Sequence, residues 1–98
     1  MNLAAELIQA LEGTIEAAKA RHYYPKYFMQ MLGEHGGVKT AKRLLAGKEP
    51  QTGLFELYHL NLLHESMEAI VLRDKFRPLS TEEELVEAHR RLEELGYF

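Results

Sequence analysis

The stretch Gly53–Leu72, Gly-Leu-Phe-Glu-Leu-Tyr-His-Leu-Asn-Leu-Leu-His-Glu-Ser-Met-Glu-Ala-Ile-Val-Leu, is the most apolar part of the chain. The rest of the sequence has to pack against it. From Leu63 the positions Leu63, Met67, Ile70 and Val71 repeat at i, i+4, i+7 and i+8, the period of one helical face. Leu54, Phe55, Tyr58 and Leu62 form a second, wider apolar face. Asn61 separates the two, and Asn tolerates the left-handed conformation that ends helices. The spacing predicts two short helices meeting at Asn61 rather than one rod.

The other segments read as helices too. Asn2 is placed to cap a first helix to about Arg21, with Leu3, Leu7, Ile8, Leu11, Ile15 and Ala18 on one side. Tyr24 precedes proline and is pushed towards an extended conformation, so that helix ends before it. Pro25 suits the start of a second helix carrying Phe28, Met31 and Leu32. Gly33, Gly36 and Gly37 end that helix and open the next turn. A third, short helix runs from about Val38 to Ala46 and stops at Gly47. Thr52 is a cap for the central pair, and Phe76 and Leu79 pin a connector to the core. The last helix opens on Ser80-Thr-Glu-Glu, a capping box from Ser80 with Glu83 or from Thr81 with Glu84. It buries Leu85, Ala88, Leu92 and Leu95, carries the helical pairs Glu87–Arg91 and Arg90–Glu94, and closes at Gly96 with Tyr97 folding back. The expected fold is all-α: a compact single-domain bundle of about six helices, two of them short. Residues 1–98 are too few for two independent cores.

Function is far less legible. A 46% hydrophobic and 28% charged composition suits a globular domain and argues against disorder. With no cysteine there are no disulfides, thiolate ligands or thiol nucleophiles. Glu6, Glu12 and Glu16 interrupt any signal-peptide core, and no apolar run approaches the roughly 18 residues of a membrane span. The expectation is a cytoplasmic protein with no membrane contact. Five histidines invite a search for metal or catalysis. His64-Glu65-Ser66-Met67-Glu68 lacks the second histidine of the helical zinc motif, and His59 and His64, five apart, do not share a helical face. His89 reads as a partly buried histidine with one backbone hydrogen bond. Ser66 and Ser80 lie in no nucleophile elbow, and the glycines form no phosphate-binding fingerprint. No catalytic residue, metal site or cofactor is expected, and the chain reads as a non-enzyme.

Two features carry functional content. Charge is segregated: residues 17–48 hold seven bases against Glu34 alone, while residues 49–98 hold five bases against eleven acids. Such asymmetry marks an anion-binding patch or two ends that attract each other. Lys39, Lys42, Arg43 and Lys48, on a short helix opened by Gly-Gly, are the candidate nucleic-acid contacts. Against them stands a sequence pI of about 5.9, low for a nucleic-acid binder. The other feature is the aromatic cluster Tyr23, Tyr24, Tyr27 and Phe28. Exposed, it is a stacking or hot-spot surface; buried, the favoured reading, it is a corner of the core.

The runs Gly36-Gly-Val-Lys-Thr-Ala-Lys-Arg-Leu-Leu-Ala, Gly53-Leu-Phe-Glu-Leu-Tyr, Ser66-Met-Glu-Ala-Ile-Val-Leu, Phe76 to Leu79 and His89-Arg-Arg-Leu-Glu-Glu-Leu-Gly-Tyr suggest a family. Together, over about residues 23–97, they resemble a bacterial all-helical domain with no assigned activity. That domain occurs alone or appended to other proteins, including nucleases and defence-type proteins. The resemblance implies an accessory module working beside nucleic-acid enzymes. It leaves residues 1–21 outside the shared core, so Leu3, Leu7, Ile8, Leu11 and Ile15 become a candidate protein interface, with antiparallel pairing of two copies the simplest use. The functional expectation is an interaction module binding a protein partner or itself. The alternative is a nucleic-acid-binding accessory domain.

Overall fold

In a computed structural model, which describes residues 2–47 and 52–98, the helices follow the apolar periodicity. Helix α1 spans Leu3–Ala20, α2 Lys26–Ala46, α3 Thr52–His59, α4 Met67–Val71 and α5 Glu82–Glu94. Single 3-10 turns cover Leu63–Glu65 and Arg77–Leu79. Among the described residues there is no strand, and the fold is an all-α single domain with a radius of gyration of 12.3 Å. Lys48 to Gln51 and the side chain of Thr52, with its expected capping role, lie outside the described residues.

The expected second and third helices are the two arms of α2. Gly33 stays helical, and the break falls at Gly36, with φ 78° and ψ −179°. Only glycine adopts that backbone conformation at low cost. Gly37 serves a different need. A Cβ there would sit 3.1 Å from Ile8 Cγ1 and 3.3 Å from the Ile8 backbone nitrogen, so its bare Cα lets α1 cross α2 closely. The buried Thr40 hydroxyl ties the arms together by donating to the Met31 carbonyl at 3.0 Å.

Helix ends use local chemistry. Asn2 accepts from the Ala4 amide, and Thr81 with Glu84, rather than Ser80 with Glu83, forms the reciprocal capping box. Three helices end with a residue at positive φ: His22 (63°) after α1, Asn61 (61°) after α3 and Gly96 (75°) after α5. Each has the paired backbone bonds of a Schellman motif, for example Tyr23 N–H to Ala18 O and His22 N–H to Lys19 O. Ser66 interrupts the expected helix from Leu63. Its fully buried hydroxyl donates to Leu63 O and accepts from the Ala69 amide, so the chain restarts as α4.

The main core joins Leu7, Leu11 and Ile15 of α1 to Leu32, Ala41 and Leu45 of α2, with Met67, Ile70, Val71, Phe76 and Ala88. Ile70 is 0% exposed, which fits the central place given to its segment. On α3, Leu54 and Leu57 face inward while Phe55 and Tyr58 are exposed, a correction to the wide face expected there. A smaller cluster brings Ala18 of α1 onto Leu57 and Leu62, where the ends of α1 and α3 meet. Arg21 Nη1 donates to the Leu60 carbonyl at the end of α3.

Candidate functional site

The expected interface stripe of α1 is corrected by this core. Leu7, Leu11 and Ile15 are buried inside the domain, and Leu3 and Ile8 are half-buried, Leu3 against the same core and Ile8 against Gly37. The physical reason is plain: the Gly36–Gly37 turn admits α1 so closely that its apolar side is consumed by its own chain. The main core as folded therefore includes α1.

The basic set also divides. Lys39 and Arg43, one turn apart on α2, are exposed. Lys42 is held by Glu84 Oε1 at 2.9 Å, the same carboxylate oxygen that accepts the Thr81 amide. Burial works against ionisation of Glu84, but the Lys42 hydrogen bond and the Thr81 amide hold its carboxyl below the usual range. The basic segment is thus partly neutralised by the acidic start of α5. Lys48 lies outside the described residues.

Sequence reasoning missed the polar centre of the molecule. Arg91 is 7% exposed, and its guanidinium donates from Nε to Glu87 at 2.7 Å and from Nη1 to Glu68 at 3.2 Å. Nη2 donates to the carbonyls of Leu44 and Gly47, both at 3.0 Å. Arg91 therefore neutralises the negative end of α2 and a carboxylate on α4 while belonging to α5. Burial raises the pKa of Glu68, opposed by its own backbone amide and by Arg91. Glu87, hydrogen-bonded by Arg90 and Arg91, is pulled down to about 2. The expected Glu87–Arg91 and Arg90–Glu94 pairs are present. Their sequence spacing gave no sign of the tie from Arg91 to Glu68.

Glu68 also lines a half-open cleft of about 520 Å³. Thr14 and Ala18 of α1 form one side, Leu54 and Leu57 of α3 another, and Leu44 and Met67 complete the apolar walls. Tyr23 and Tyr24 line it from the α1–α2 connection, and Tyr27 and Phe28 from the first turn of α2. The aromatic cluster is thereby split: Tyr24 (55%) and Tyr27 (69%) are exposed, whereas Tyr23 and Phe28 are half-buried. Burial, and secondarily Glu56, raises the Tyr23 pKa. The Thr14 hydroxyl is committed to the Glu65 carbonyl.

The remaining candidates are dispersed. His89 is exposed and stacks on Phe98 with ring centroids 4.3 Å apart, not half-buried as expected. Among the described residues no cluster of His, Asp and Glu is arranged to hold a metal, and no helix is long and apolar enough to cross a membrane. No family model matches the chain, and neither the characterised proteins nor the solved structures give a match.

Proposed function

We propose that this chain is a non-enzymatic interaction module whose contact surface is the tyrosine-lined cleft. The observation that carries this reading is the exposure of Tyr24 and Tyr27 beside an apolar cavity. Tyrosine offers large contact area at small entropic cost and is enriched where partners bind. The cleft's size falls in the range of about 300–1,000 Å³ that ligand sites occupy. The resemblance read from the sequence implies an accessory role beside nucleic-acid enzymes, and the sequence reading adds a cytoplasmic location.

Capture from nuclease-treated host lysate tests the reading. A protein retained by the parent and lost from a Tyr24→Ala/Tyr27→Ala variant of unchanged melting temperature supports it. Equal retention by both overturns it.

A second reading keeps Lys39 and Arg43, which are exposed on one face of α2, as phosphate contacts. Lys42, bound to Glu84, contributes less to it. Reversing Lys39 and Arg43 to Glu then abolishes a salt-sensitive interaction with nucleic acid. Failure of the parent to bind DNA or RNA at low salt removes this reading.

A further inference from the structure

Glu68 is 3% exposed yet lines the cleft, so the cavity ends at a carboxylate. Arg91 reaches it with one N–H, to Oε2. The other donors of that guanidinium go to Glu87 and to the last carbonyls of α2, at Leu44, Leu45 and Gly47. One positive charge therefore serves two carboxylates and the negative pole of a helix, and Arg90 bonds Glu87 and Glu94 but not Glu68. Among the described residues, no cation besides Arg91 pairs with Glu68 at the inner end of the cleft. At the mouth stand the exposed tyrosines, whose ring faces attract cations. Lys26 lines the mouth too but is exposed, where water screens its ammonium.

On the reading of the chain as an interaction module, we infer that the cleft receives a basic side chain, arginine or lysine, from a protein partner. Its methylene stem lies along Leu54, Leu57 and Met67, and its charged end meets Glu68. A neutral apolar side chain fills the same walls but adds no charged donor to the one Arg91 supplies, and an acidic one is repelled there.

The test is an NMR titration of the isotopically labelled full chain with Nα-acetyl-arginine methylamide and its lysine, norleucine and glutamate counterparts. The basic probes are expected to give saturable shifts at residues 53–57 and 67–68, with the norleucine probe roughly tenfold weaker or worse. The Tyr24→Ala/Tyr27→Ala variant should bind the arginine probe roughly five- to thirtyfold more weakly at unchanged melting temperature. Glu68→Gln should erase the preference for arginine over norleucine; if that variant loses its fold, the tyrosine pair still decides. Norleucine binding as tightly as arginine, or no saturable shift in the cleft with either basic probe, overturns the inference. The two proposals fail separately. Tyrosine-dependent capture of a partner without any arginine preference removes the basic anchor and leaves the module; an arginine preference without tyrosine-dependent capture does the reverse.

Discussion

Replacing Arg91 by methionine leaves Glu68 in the core without the one guanidinium that reaches it among the described residues. Removing one partner of a buried ion pair costs about 3–5 kcal/mol. A Glu68→Leu/Arg91→Met double variant should recover part of that loss, because no buried charge remains alone. Urea denaturation of both variants checks the sign; a double variant less stable than Arg91→Met contradicts it. Glu87 gives the acid limb. Its folded pKa of about 2 lies below the ordinary 4.5, so the unfolded chain binds more protons between those values. The stability it contributes is complete above about pH 4.5 and drains as pH falls towards 2. Glu68 acts in the opposite sense: its raised pKa means protonation at low pH relieves a burial cost. Glu87→Gln should therefore flatten the fall in stability over that acid range, and an unchanged pH slope counts against the pairing. His22 is exposed at φ 63°, a conformation that costs a side chain roughly 1–2 kcal/mol. His22→Gly should raise the melting temperature, and a lower one would mean the side chain does something its exposure hides.

At the scale of helices, the decisive position is the break in α2. Gly36→Ala forces a Cβ into a region reserved for glycine, at a cost of about 1–3 kcal/mol. Gly33→Ala, inside a regular turn with nothing within 4 Å of the added carbon, should be neutral or stabilising. Thermal melts of the two variants separate a true backbone constraint from general sensitivity in a glycine-rich segment; equal effects would refute it. These glycines also show where sequence is legible. Helix periodicity, the left-handed Asn61, the Thr81–Glu84 box and the Gly96 stop are all local signals, readable because their partners lie within a few residues. Gly33, Gly36 and Gly37 look alike in sequence; the backbone break singles out Gly36 and the crossing of α1 singles out Gly37. The candidate cleft was legible only as an aromatic cluster. Its floor was hidden because Glu68 meets a base 23 residues away, and no spacing rule selects that partner over nearer ones. Lys42, read as a free base, was hidden the same way by Glu84, 42 residues on.

At the scale of the whole molecule, α1 is part of the core. A chain beginning at Arg21 lacks Leu7, Leu11, Ile15 and Ala18, four side chains no more than 8% exposed. Each of the three larger side chains withdrawn from water contributes roughly 1.5–3 kcal/mol, so their sum is comparable to the whole stability of a small domain. Circular dichroism should find the shortened chain unfolded, and a cooperative melt would show the remaining helices to be self-sufficient. Arg91 has a further consequence in the order of synthesis. A nascent chain that has left the ribosome only as far as Ser80 holds Glu68 and the carbonyl end of α2, but not the guanidinium that satisfies both. Until α5 emerges, residues 1–80 hold a buried carboxylate and helix-end carbonyls that lack the donor α5 brings. A fragment of residues 1–80 should accordingly gain fixed tertiary structure only when a peptide of residues 81–98 is added in trans, and a peptide carrying Arg91→Met should fail to complement it.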